Sequence, residues 1–328
     1  MPTATLDTLY EAVMNEAVSG LTGTSKTLSP WLFYDERGSQ LFEQITELPE
    51  YYLTRTERGI LAEHAREILE AAAHGSRLTL IELGAGTASK TGLLLAECTK
   101  QQGSVLYQPI DVSESALDEA AASIGAHIPG VIVQSQVANY TREPFTLSRA
   151  PGDRALALYI GSSIGNFSPD DARTILQNLR DHLQPGDSLL LGTDLTPSVD
   201  ASSRKSVEAV EAAYDDAQGV TAAFNLNVLA RLNRDLGTNF KLDQFAHRAF
   251  WNSEASRMEM HLVSLLAQKV KVGGMVISFA VGETIHTENS YKFSVRSIAE
   301  LFKSSGFSRT HTWQDAEERF AVTLAKAV

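Results

Sequence analysis

Apolar positions along the chain fall into two rhythms. In the first, short apolar runs at Leu78–Leu83, 105–110, 131–137, 155–160 and 188–193 alternate with segments of helical spacing at 114–124 and 169–183. A further helical segment, 57–73, precedes them. Short apolar runs bounded by turn residues predict buried strands, and strands alternating with helices build a parallel sheet covered on both faces. After Leu195 the rhythm breaks. Residues 198–290 open with a long helical stretch that includes Y-D-D-A-Q-G-V-T-A-A-F-N, followed by strand-like runs at 257–272 and 275–281. A helix over 295–305 and strands near 309–313 and 320–325 return the chain to the sheet. At the other end, Leu6, Leu9, Val13 and Ala17 lie at helical spacing up to Gly20, and the aromatic-rich stretch 31–56 contains a short helix stopped by Pro49. That stretch reads as a cap over a pocket or as an arm packing aromatics into the core. The pattern predicts an α/β protein with an N-terminal segment (1–57), a parallel-sheet domain (58–196 plus 291–328) and an inserted α+β domain (197–290).

Composition narrows the function classes. A hydrophobic content of 43% supports a full core over 328 residues. Lys and Arg number 28 against 40 Asp and Glu, a net charge of -12 without blocks of one sign, which argues against nucleic acid as a partner. A single cysteine, Cys98, excludes an internal disulfide framework and a multi-cysteine metal site. The eight histidines, among them His247, His261, His286 and His311, form no helical pair with an acid between them, so no metal site is expected. No basic region followed by an apolar core opens the sequence, and no run of ~18 apolar residues occurs, so a cytoplasmic protein away from the membrane is expected. A monomer is the expected assembly.

The chemistry centres on L-T-L-I-E-L-G-A-G-T-A-S-K-T, residues 78–91. A buried strand runs into Gly84, Ala85 and Gly86, and Thr87 and Ser89 are placed to cap the helix that follows. Glycines at such a junction let a ligand approach the backbone, and the N–H groups opening the helix favour negative charge. The third glycine of the dinucleotide fingerprint is absent, with Ser89 in its place. Asp111 ends the next strand, near the spacing of roughly 20 residues expected for an acid that holds ribose hydroxyls. These features leave S-adenosylmethionine, a dinucleotide or a structural turn as readings. Asn139 and Tyr140 follow the third strand, as adenine contacts or as a turn. The loop Gly161–Asn166 follows the fourth, with Asn166 suited to donate to a substrate carboxylate. In the extended tip 283–293, Glu288 and Ser290 share a face and point to a ligand or to water.

These segments together resemble the S-adenosylmethionine-dependent L-histidine Nα-methyltransferases of ergothioneine biosynthesis. The resemblance spans nearly the whole chain and rests on F-Y-D-E-R-G-S, L-P-E-Y-Y-L-T-R-T-E, I-E-L-G-A-G-T-A-S-K-T, G-S-S-I-G-N-F, L-L-L-G-T-D-L, A-Y-D-D-A-Q-G-V-T-A-A-F-N and T-E-N-S-Y-K-F. It implies a Rossmann-like class I methyltransferase sheet with an inserted substrate-binding domain, to which the N-terminal segment contributes. It further implies that Gly84, Lys90, Asp111, Asn139 and Tyr140 bind the cofactor, and that Tyr51, Asn166, Tyr214, Met260, Glu288 and Ser290 bind histidine. Tyr34 and Tyr51 would orient the amine for three methyl transfers that give hercynine. The sequence departs from the family pattern at Asn139, where an acid is usual, at Asn289 and Tyr291, which flank the imidazole-binding pair, and at Leu53, where a proline is common. The competing readings are N-methylation of another aromatic amino acid such as tryptophan, which the acceptor Glu288 disfavours because an indole offers one donor, and a non-catalytic S-adenosylmethionine sensor.

Overall fold

The structure, a computed structural model, describes residues 3–86, 88, 90–141, 145–197 and 205–328, with side chains from Tyr10 onward. Its helices are α1 (Thr3–Thr22), α2 (Glu36–Glu47), α3 (Tyr52–Ala73), α4 (Thr91–Gln102), α5 (Glu114–His127), α6 (Pro169–His182), α7 (Val207–Ala212), α8 (Val220–Leu236) and α9 (Val295–Ser304). The first seven strands are β1 (Lys26–Thr27), β2 (Leu78–Leu83), β3 (Val105–Asp111), β4 (Val131–Val133), β5 (Gln136–Val137), β6 (Arg154–Tyr159) and β7 (Ser188–Asp194). The remaining strands are β8 (Phe245–Asn252), β9 (Arg257–Ser264), β10 (Gln268–Val272), β11 (Met275–Phe279), β12 (Thr284–Tyr291), β13 (Phe307–Gln314) and β14 (Phe320–Ala327). The chain divides into two compact units, one of Met1–Tyr52 with Ser198–Tyr291 and one of Leu53–Pro197 with Lys292–Val328.

The second unit is built on a sheet in the order β13-β14-β7-β6-β2-β3-β4, with β5 also pairing with β3. Strands β4, β3, β2, β6 and β7 are parallel, and β14 runs antiparallel between β7 and β13. Every residue of β2 and β7 is buried, as expected of strands covered on both faces. The chain moves from β2 to β3 on one side and to β6 on the other, so the strand order reverses at β2. Ligands of doubly wound sheets bind outside the carboxyl ends of the strands at such a point, and here those ends lead into Gly84, Asp111 and Gly161.

Several boundaries differ from the sequence expectation. The run 131–137 breaks into β4 and β5, and α3 begins at Tyr52, ahead of the expected residue 57. The expected capping residues Thr87 and Ser89 lie outside the described residues, and α4 opens at Thr91 behind Lys90, which makes no side-chain cap.

The first unit carries a sheet in the order β1-β12-β9-β8 and the separate hairpin β10-β11. Gly273 and Gly274, both at positive φ, close that hairpin, as a two-residue turn between twisted strands requires. The expected long helix is instead two, α7 and α8. Asp216 accepts from Val220 N (3.0 Å) and Thr221 N (2.7 Å), and Gly219 adopts φ +73°, so the D-D-A-Q-G stretch is the start signal of a new helix. The run 257–272 divides into β9 and β10, and β8 was not anticipated. Helix α8 packs on this sheet and on α1 and α2, and buries Phe224, Val228, Leu229 and Leu232. Each such side chain contributes roughly 1.5–3 kcal/mol of burial. The aromatic N-terminal segment docks on the same helix: Phe33 stacks on Phe224 at 4.5 Å, Arg231 donates to Leu32 O (2.9 Å) and Asn227 to Asp35 Oδ1 (2.8 Å). Asp35 also caps α2 by accepting from Gly38 N (2.7 Å).

Candidate active site

In the parallel-sheet unit the glycine turn is held by short contacts of its own backbone. Gly84 adopts φ +69° and donates to Ile110 O (2.8 Å). A Cβ at Gly84 would stand 2.9 Å from the Tyr140 hydroxyl, so a side chain here would fill the space beside that ring. Asp111 ties two loops together, accepting from Gly86 N (3.0 Å) and Ser113 N (3.0 Å). Removal from water raises the Tyr140 hydroxyl pKa to about 12, which keeps it a neutral donor. Asn139 Oδ1 accepts from Thr141 Oγ1 (2.6 Å) and Thr141 N (3.3 Å), an Asx turn in which the amide shapes its own loop. The space over Gly84, the acid at the end of β3 and the neutral hydroxyl of Tyr140 fit an adenosine-bearing cofactor.

Lys90 is anchored by a residue that the sequence reading did not single out. Glu57 on α3 has no exposed surface, pairs with Lys90 Nζ and accepts from Gly161 N at 2.8 Å (Oε1) and 2.9 Å (Oε2). Gly192 on β7 passes close beneath, where a Cβ would stand 2.0 Å from Glu57 Oε1. One buried carboxylate thereby sets the glycine-loop lysine and the start of the Gly161–Asn166 loop. Asn166 is half-buried, at the end of the 3₁₀ turn Ser163–Asn166. Glu82, the acid before the glycines, turns inward: Tyr107 and Thr91 donate to it, and burial pushes its pKa up to about 7.

In the first unit the remaining candidates gather on one strand and the aromatic cluster beside it. Strand β12 pairs with β9 as Ile285↔Leu262 and His286↔His261, then slips by one residue and resumes as Glu288↔Met260 and Ser290↔Met258. Thr287 is therefore the extra residue of a β-bulge, and the slip decides which side chains face α8. Cross-strand partners share a face, so Ile285, Glu288 and Ser290 lie with Leu262, Met260 and Met258, while His286, Asn289 and Tyr291 lie on the other face with His261, Glu259 and Arg257.

The bulge is fixed by Asn225, fully buried on α8. The Thr287 hydroxyl donates to Asn225 Oδ1 (2.7 Å) and lies 3.0 Å from Met260 O, while Asn225 Nδ2 lies 2.9 Å from His247 Nδ1 and 3.1 Å from His261 O. An amide N–H donates, so His247 Nδ1 accepts and its Nε2–H donates to Tyr214 O (2.8 Å). Burial lowers the His247 pKa, consistent with a neutral ring in this network.

Tyr214 and Ser290, both buried, meet at 2.7 Å between hydroxyls. The Tyr51 ring stands edge-on to Tyr214 (6.2 Å) and Phe42 (6.3 Å), and Tyr34, 43% exposed, stands edge-on to Phe42 and Phe224. Met260 is buried opposite the half-buried Glu288. The first unit thus brings together Tyr34, Tyr51, Tyr214, Met260, Glu288 and Ser290. Gly84, Lys90, Asp111, Asn139, Tyr140 and Asn166 belong to the second. Asn225 and Thr287 were not foreseen, although both fall inside or beside the quoted motifs A-Y-D-D-A-Q-G-V-T-A-A-F-N and T-E-N-S-Y-K-F.

No helix among the described residues is long and apolar enough to cross a membrane. A family model described as "Histidine-specific methyltransferase, SAM-dependent" matches residues 13–327. The chain is 42% identical to a histidine N-alpha-methyltransferase of Mycolicibacterium smegmatis and 39% identical to that of Mycobacterium tuberculosis, each over 97% of this chain and 96% of the relative. It is also 30% identical, over 92% of its length, to 33% of ergothioneine biosynthesis protein 1 of Neurospora crassa. A class I methyltransferase sheet with a bulged polar strand in its companion unit is therefore the framework of an enzyme, and the chain belongs to the S-adenosylmethionine-dependent, histidine-specific methyltransferases.

Proposed function

We propose that the protein transfers three methyl groups to the α-amino nitrogen of L-histidine, giving the trimethylammonium betaine hercynine, and that it acts as a cytoplasmic monomer. The observation that carries this reading is the polar set on β12, where Glu288 and Ser290 share a face and Ser290 meets the buried Tyr214 hydroxyl. S-adenosylmethionine, when bound, supplies an electrophilic methyl group. We assign its binding to Gly84, Lys90, Asp111, Asn139 and Tyr140, and histidine binding to Tyr51, Tyr214, Met260, Glu288 and Ser290 of the first unit and Asn166 of the second.

The assignments follow from donor and acceptor counts. Glu288 accepts from an imidazole N–H, a charge-assisted bond that phenylalanine cannot make, worth roughly 1.5–3 kcal/mol. A tyrosine hydroxyl and a side-chain amide are donors suited to a substrate carboxylate oxygen, the roles assigned to Tyr214 and Asn166. The attacking nitrogen must be a neutral amine, and an α-amino group with a pKa of about 8 already supplies a neutral fraction near neutral pH. Catalysis is then mainly positioning and exclusion of water. Tyr34 and Tyr51 orient the nitrogen and pass its proton to water. Each round removes an N–H donor and adds a methyl, and aromatic rings tolerate this because they attract a forming quaternary ammonium.

The test is mass spectrometry of products from S-adenosylmethionine and an equimolar panel of free amino acids, with wild type and Glu288→Ala. Three methyl groups on histidine alone, lost or redirected in the variant, are expected. Methyl gain on tryptophan or another amine with histidine untouched would overturn the substrate assignment and leave the fold and cofactor in place.

A further inference from the structure

The outer face of β9 and β12, away from the candidate histidine-binding side chains, carries a second polar constellation. Glu259, His261 and His286 each offer a ligand atom, and these atoms lie within 4.8 Å of one another. The group joins neighbours across the strand pair: His286 pairs with His261, and Glu259 stands two residues before His261 on the same face. The two imidazoles stack at 4.5 Å, and Phe250 stacks on the far side of His261 at 5.3 Å.

Three features mark this group as a built ligand set. First, the carboxylate is divided in its duties. Glu259 Oε1 accepts from Asn252 (2.8 Å) and twice from Arg257 (2.8 and 2.6 Å), while Oε2 faces His261 Nε2 at 2.9 Å. Ligating carboxylates are held by such outer hydrogen bonds. Second, His286 Nε2 lies 3.0 Å from Glu288 O, and a carbonyl only accepts, so the proton sits on Nε2 and the lone pair on Nδ1. That contact fixes tautomer and ring orientation in the manner of metal-ligating histidines. Third, Glu259 Oε2 and His261 Nε2 stand 2.9 Å apart, and an ion taking the place of the proton between them would bind both atoms, with the proton released.

We propose that Glu259, His261 and His286 form a binding site for a divalent transition ion of the zinc type, which would staple β9 to β12 across the Thr287 bulge. Two imidazoles and one carboxylate are a donor set that zinc takes with a water in the fourth position, and bond lengths of about 2.0–2.2 Å place ligand atoms about 3.3 Å apart. Because the two rings lie 14° from parallel, one of them turns out of the stack to bring both lone pairs onto one ion. The search for helical spacing in the sequence missed the group because its members are neighbours by sheet pairing. The inference is independent of the methyl-transfer reading.

The experiment is a Zn²⁺ titration by calorimetry of tag-free, chelator-stripped full-length protein without histidine, repeated on His261→Ala, His286→Asn and the double variant, with circular dichroism to establish folding. One equivalent bound with micromolar or tighter affinity is expected, weakened at least about tenfold in each single variant and lost in the double. Zn²⁺ at about a hundred times the dissociation constant should raise the wild-type Tm by about 5 °C and leave the double variant unmoved. If a variant proves unfolded, Glu259→Gln serves in its place. Binding by wild type that matches the folded variants, or no binding above theirs, overturns the proposal.

Discussion

The two units build candidate sites by different routes. In the parallel-sheet unit each candidate residue follows the end of its own strand: Gly84 after β2, Asp111 closing β3, the Gly161–Asn166 loop after β6. Local turn chemistry and a topological reversal are sufficient to place them. In the other unit nothing local decides which way Glu288 faces. One extra residue in β12 changes the side on which Ile285 and Glu288 lie relative to each other, and a buried amide on another element holds that residue. Motif-built sites are thus set by sequence neighbours, whereas register-built sites are set by partners far along the chain.

The largest test of this contrast is Asn225→Leu. It removes the acceptor of Thr287 and the donor to His247 and His261 O while preserving volume, leaving buried polar groups without partners. At about 1–3 kcal/mol for each orphaned group, a loss of about 3 kcal/mol is expected, read by urea denaturation, with histidine turnover falling in the protein that remains folded. A change below about 0.5 kcal/mol would show that the bulge holds without α8.

The motif-built side has its own single support. Glu57→Gln keeps the shape but removes the charge that anchors Lys90 and weakens the acceptor for Gly161 N. The dissociation constant for S-adenosylhomocysteine, measured by calorimetry, should rise about tenfold, as expected for losing one charge-assisted hydrogen bond, with a smaller rise in KM for histidine through the Gly161–Asn166 loop that Glu57 also holds. An unchanged affinity would remove Glu57 from the cofactor side.

How much was legible follows the same division. The strand and helix alternation from Leu78 to Asp194 was readable because buried parallel strands are continuous apolar runs and their glycine turns announce themselves. The break between α7 and α8 was also written, in Asp216 and Gly219, but the helical composition on both sides masked it. Strand β8, F-A-H-R-A-F-W-N, was missed because most of its residues are half-buried and its polar positions serve a network, which erases clean alternation. Glu57 looked like one more acid on an amphipathic helix, and only its tertiary partners distinguish it. The grouping of Glu288 with Met260 and of His286 with His261 depends on the bulge, and a one-residue slip carries no signature in composition.

A smaller change sharpens the register argument. Thr287→Val keeps the β-branched shape and deletes the hydroxyl that binds Asn225 and Met260 O. KM for histidine is expected to rise several-fold, with cofactor affinity unchanged and stability lower by about 1 kcal/mol. Equal losses on cofactor and histidine binding would mean that the bulge acts through general destabilisation.

The smallest effect concerns pH. His247 is buried between Asn225, whose amide donates to Nδ1, and Tyr214 O, which takes its Nε2 proton. Burial lowers its pKa despite the backbone bond to Tyr214 and the nearby Asp215 and Asp216, which pull the other way. A histidine whose folded pKa lies below its unfolded value of about 6.5 gives stability that is present above that pH and is lost as pH falls through the folded value, because the unfolded chain binds the proton first. The His247 contribution to Tm should therefore fall from pH 7.5 to 5.5, so that His247→Gln, which keeps a donor and an acceptor, loses less or gains more Tm than wild type over that interval. The parallel-sheet side supplies the contrast: Glu82, raised to about 7, favours the folded state at low pH and opposes the fall. A His247→Gln slope equal to that of wild type would move the acid sensitivity to other groups and leave the neutral His247 network without a measurable part in it.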